Sequence, residues 1–114
     1  MDINKQIIAA AEFEGWTEIS KIIGKYDMPT GIHPIFDYTR SDLPRYDDDL
    51  NAIRKLEEII DKKKLRWEYI DELTYITGAE WTDALEEVFV VAHASAAQKL
   101  EAIVKMLNKW EDES

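Results

Sequence analysis

Residues 17–46, TEISKIIGKYDMPTGIHPIFDYTRSDLPRY, decide whether this chain carries a sheet. Gly24, Pro29, Gly31, Pro34 and Pro44 punctuate the stretch, so only short strands or turns fit, around residues 18–23 and 32–36. A run of this length without a long element is uncommon in compact domains and tends to be functional or mobile.

Both flanks read as helix. Over residues 2–14, Ile3, Ile7, Ala10, Ala11 and Glu14 recur at helical spacing, with Asp2 as the N-terminal cap and Gly15 as the stop. Trp16 follows and is expected to fold back onto that helix. Residues 47–64 give the clearest helix, with Leu50, Ile53, Leu56, Ile59 and Ile60 on one face. Asp47, Asp48 and Asp49 crowd its start and Lys62, Lys63 and Lys64 its end, each sign complementing the helix dipole. Residues 65–77 favour a helix ending at Gly78, on the spacing of Trp67, Ile70, Leu73 and Ile76. Trp67, Tyr69 and Leu73 are assigned to the core. Residues 81–92 read equally as a helix capped by Thr82 or, over 88–91, as a strand. Ser95 and Gln98 form a capping box for a last helix that lines up Leu100, Ile103, Val104 and Leu107 before Trp110. The expected fold class is α+β: four to five helices packed on a small sheet drawn from the irregular segment and residues 88–92. The alternative is an all-α bundle with a long ordered loop.

At 114 residues, 46% apolar and 33% charged, the chain is expected to form a single globular domain, residues 1–114. It has no cysteine, which removes disulfides, thiolate metal sites and cysteine nucleophiles. No leader pattern and no apolar run of membrane-spanning length is present, so a cytoplasmic protein without a membrane partner is expected. The formal net charge of −10 argues against direct nucleic-acid binding and favours a basic partner surface.

Candidate chemistry is sparse. The two histidines, His33 and His93, stand in no nucleophile or zinc spacing. Asp47, Asp49, Asn51 and Glu58 have calcium-loop spacing, but Ala52 occupies the position that needs glycine, and the same residues make a good helix. Neither a dinucleotide nor a phosphate-binding glycine motif is present. No catalytic residue, metal ligand or cofactor is therefore expected. Among the four tryptophans and five tyrosines, Trp16, Tyr26, Tyr38 and Tyr46 cluster in or beside the irregular segment. With His33, Arg40 and Asp42 they form the candidate binding surface.

Further residues carry a resemblance. Gly15-Trp16 after a first helix, DYTRSDL at 37–43 leading into DLNAI at 49–53, ASAAQKLEA at 94–102 and KWE at 109–111 follow one another in this order. The pattern resembles the phage ABA-sandwich domain family, small phage and prophage proteins without an assigned activity. It covers about two-thirds of the chain. Asn108 stands where glycine precedes the Lys-Trp pair in that pattern, and Lys99 where it has arginine. The resemblance implies an origin in phage or prophage and no catalytic residues.

The functional expectation is a non-enzymatic accessory protein of phage or prophage, acting in the bacterial host cytoplasm. It would bind a host component, as an acidic antagonist of a defence system. One alternative is a small-molecule or nucleotide-binding module using residues 16–46, where Lys21, Lys25, Arg40 and Arg45 concentrate positive charge. Another is a virion structural or assembly protein.

Overall fold

The computed structural model describes residues 1–20, 29–35, 40–78 and 92–111. Helix α1 spans Ile3–Glu14, strands β1, β2 and β3 span Thr17–Ser20, Thr30–Ile32 and Arg40–Asp42, and helices α2, α3 and α4 span Leu50–Lys62, Arg66–Thr77 and Ala96–Met106. The described residues thus form an α+β fold with four helices and a three-stranded antiparallel sheet in the order β1-β2-β3. The all-α alternative is set aside.

Local signals place the helix ends. The Asp2 carboxylate accepts the Asn4 N–H at 2.7 Å. Gly15 adopts φ 109°, and its N–H reaches the Glu12 carbonyl at 3.1 Å while the Trp16 N–H reaches Ala11 at 3.0 Å. This pair of bonds is a Schellman turn, and it folds Trp16 back against the helix it follows. Gly78, at φ 73°, ends α3 in the same left-handed conformation. Ser95 and Gln98 make both bonds of the capping box on α4, at 3.1 and 2.9 Å.

One helix start differs from expectation. Arg45 grips Asp47 through two hydrogen bonds of 2.9 and 2.8 Å and lies 3.9 Å from Asp48. That grip, with the Asp48 and Asp49 amides both turned onto the Arg45 carbonyl, makes a turn of residues expected to be helical. Asp49 alone caps α2, accepting the Asn51 N–H at 2.9 Å. Asp47 is held below the usual carboxylate range, chiefly by its bond from Arg45.

The sheet is held closed by a small residue. A methyl group on Gly31 would lie 3.1 Å from both Ile19 and Leu43 and 3.3 Å from the Thr17 carbonyl. Side chains from β1 and from the residue after β3 therefore close over a position where only hydrogen fits. β1 bulges between Thr17 and Ser20, with Glu18 at φ 49°. The strand expected over 32–36 is seated earlier, at Thr30–Ile32, because Pro34 cannot continue it. β3 went unforeseen: Arg40, Ser41 and Asp42 are all exposed, so it carries no apolar alternation. Residues 21–23, 36 and 81–91, with the strand assigned to 88–91, lie outside the described residues.

The core gathers around α4, which packs against α1, α2 and α3. Leu100, Ile103 and Val104 from α4 are fully buried with Ile7, Ile53, Leu56 and Leu73. Tyr69 and Leu73 are core residues as expected. Trp67 is not: it is 64% exposed. A strict three-residue repeat slips by about 60° per step on a helix of 3.6 residues per turn, so it leads away from the buried face. The residues that α3 buries are Tyr69, Ile70, Leu73 and Thr74.

Candidate functional site

Five of the seven residues of the expected surface are described, and these five do not share one exposed face. Tyr26 and Tyr38 lie outside the described residues. Arg40 and Asp42 sit exposed on β3, where Arg40 Nη1 donates to Thr30 Oγ1 at 3.2 Å. Trp16 and Tyr46 are interior side chains, with Tyr46 fully buried, and so cannot present their rings to a partner. The Schellman turn directs Trp16 inward, and Tyr46, in the turn before α2, enters the core and reaches Glu14 at the end of α1.

Trp16, His33 and Tyr46 nevertheless converge, on Glu14. The Glu14 side chain is only 9% exposed. The Tyr46 hydroxyl donates to its Oε1 at 2.6 Å, and His33 Nε2 lies 4.0 Å from its Oε2. His33 Nδ1 accepts the Ile35 N–H at 3.0 Å, so the neutral ring carries its proton on Nε2, toward the carboxylate. The rings of Trp16 and His33 meet edge to face at 5.0 Å. Burial, and then the bond to Glu14, pushes the Tyr46 hydroxyl above the ordinary tyrosine range; the nearby Trp16 indole opposes the rise. Among the described residues, the buried Trp16 N–H finds no hydrogen-bond acceptor. The cluster fastens three parts of the fold: the end of α1, the end of β2 and the turn before α2. A carboxylate on the otherwise apolar stripe of Ile7, Ala10 and Ala11 was the sequence feature that could have announced it.

A second buried cluster joins α2, α3 and α4. Glu57 Oε2 accepts from the Tyr69 hydroxyl at 2.8 Å and lies 3.5 Å from Lys99 Nζ, whose side chain is 9% exposed. Burial first, and Glu57 second, drive the Tyr69 hydroxyl above its usual range.

The outer face of α3 is the surface that sequence reasoning missed. Trp67 and Tyr75, 64% and 82% exposed, stand eight residues apart with Asp71 midway between them. Eight residues are about 12 Å along a helix, and an i, i+4, i+8 series lies on one side of it. Glu68 and Asp71 are exposed beside the rings, and the only cation of this helix, Arg66, is 3.4 Å from Asp61.

A cleft of about 610 Å3 opens between α1 and the segment after α4, with Ile8, Ala9, Pro29 and Trp110 among its walls. Among the described residues, no group of three or more acidic or histidine side chains is arranged to hold a metal ion, and no helix is long and apolar enough to cross a membrane. No family model, curated protein or solved structure matches this chain.

Proposed function

We propose that this chain is a non-enzymatic binding protein of phage or prophage that docks onto a basic surface of a host protein. The observation that carries this reading is the face of α3, where two large aromatic rings stand exposed around Asp71 and beside Glu68. Large exposed aromatics are costly to leave in water and are the residues that most often dominate protein interfaces. Carboxylates between them select a cationic partner, and the net charge of −10 steers such a partner toward the chain. An acidic surface of this kind competes with nucleic acid for a basic site, which suits an antagonist of a defence system.

The test is affinity capture from bacterial lysate at low and moderate salt, with wild type beside W67A/Y75A. The expected result is a host protein retained by wild type, weakened by salt, and lost from the double variant. Capture that ignores both salt and the double substitution would overturn the reading.

A further inference from the structure

The cleft between α1 and the C-terminal segment has features that a mere packing gap does not need. Two ion pairs cross it in opposite directions. Lys5 on α1 reaches Glu111 at 3.0 Å, and Lys109 reaches back to Glu12 on α1 at 3.2 Å. Lys5 and Glu12 are seven residues apart, close to two turns or about 10 Å along one face of the helix. Ile8 and Ala9 lie between these two straps on α1, and Trp110 lies between them on the facing segment. Lys105 sits over the indole of Trp110, Nζ 4.9 Å from the ring centroid, and so helps to fix the ring.

Two carboxamides complete the walls, Asn4 from α1 and Asn108 from the turn after α4. Neither side chain makes a hydrogen bond among the described residues. Asn108 is held at φ 59°, a left-handed conformation that non-glycine residues seldom adopt and that here swings the following Lys109 and Trp110 toward α1.

We propose that this cleft binds an uncharged adenine ring, as the base or its nucleoside. An indole beside an apolar floor offers a plate on which a flat heterocycle stacks. A carboxamide presents one donor and one acceptor side by side, which matches the N6 and N7 edge of adenine. The charge pattern favours a nucleoside over a nucleotide. Both rim lysines are already paired, and the Asp2 carboxylate at the same rim is engaged in capping α1, so the rim offers a phosphate no lysine without a carboxylate partner. A cleft of this volume lies within the range of ordinary small-molecule sites. This site shares no residue with the face of α3.

The test is calorimetric titration with adenosine and, separately, adenosine monophosphate, backed by thermal unfolding of each variant without ligand. Adenosine is expected to bind saturably and the monophosphate more weakly. Asn108→Gly keeps the left-handed backbone and deletes only the carboxamide, so it should weaken adenosine about tenfold while leaving the ligand-free Tm unchanged. Trp110→Ala should weaken it by about tenfold or more, and Lys55→Ala, an exposed change on α2, should bind as wild type does. Absence of saturable binding of adenosine, a tighter monophosphate, or undiminished binding by Asn108→Gly and Asn4→Ala would each overturn the proposal.

Discussion

The Tyr46 hydroxyl gives its hydrogen to Glu14 across 2.6 Å, and this one bond ties the turn before α2 to the last turn of α1. Replacing Tyr46 by Phe leaves the Glu14 carboxylate buried with a donor removed. Loss of a hydrogen bond to a charged acceptor in such a place costs about 1–3 kcal/mol. Urea denaturation of Tyr46→Phe should show that loss, and a change below about half a kilocalorie would refute it.

Alkaline pH should loosen the fold through the tyrosines. Tyr46 and Tyr69 both have hydroxyls raised above the ordinary range, foremost by burial. The folded chain therefore keeps protons that the unfolded chain releases near the usual tyrosine value of about 10. Their contribution is complete below that pH and declines as pH climbs beyond it. Unfolding free energy measured from pH 8 to 11 should fall less steeply for Tyr46→Phe/Tyr69→Phe than for wild type. Equal slopes would show that the two hydroxyls are not the cause.

Gly31→Ala should be destabilising by about 1–3 kcal/mol, since the new methyl meets Ile19 and Leu43 at 3.1 Å and a backbone oxygen at 3.3 Å. Denaturation midpoints decide it, and a neutral substitution would mean that the three strands separate more easily than their spacing indicates.

Lys99→Met should cost more than Lys99→Met combined with Glu57→Gln. The single change strands a partly buried carboxylate with only the Tyr69 hydroxyl, whereas in the double variant the neutral amide can still accept that bond. The difference is expected at about 1–3 kcal/mol. If both variants unfold alike, Lys99 contributes packing and no charge pairing.

W67A/Y75A should leave stability almost unchanged, because the two rings are 64% and 82% exposed and surface substitutions usually stay within about 0.5 kcal/mol. A large drop in Tm would show that these rings serve the fold, and the docking face would lose its basis.

What the sequence disclosed were signals read within a few residues. Asp2 and Gly15, Gly78, and the Ser95 and Gln98 box all act on backbone groups in the adjoining turn, so their effect survives without knowledge of the rest of the chain. Contacts across the fold were not disclosed. Tyr46 is separated from Glu14 by 32 positions, and its burial depends on where α2 lands. Asp47 looked like a helix residue until Arg45 was seen to take it. Trp67 matched a repeat of three that real helices do not sustain, which hid the candidate docking face. Arg40, Ser41 and Asp42 form a strand only because β2 offers them an open edge. Trp110 read as the residue after a helix, and its place in the cleft arises from the left-handed Asn108 and from two pairs that span 106 and 97 positions.

Helix α4 is the last of the four to be synthesised and is the one against which the other three rest. During translation α1, α2 and α3 can meet one another, but the sides they turn toward α4 stay uncovered until it emerges. From the end of α1 to the end of α4 the ribosome needs on the order of five to twenty seconds at ordinary elongation rates. Assembly of the interior thereby waits for residues 96–106, and a chain cut short before residue 96 would expose those sides to chaperones and proteases.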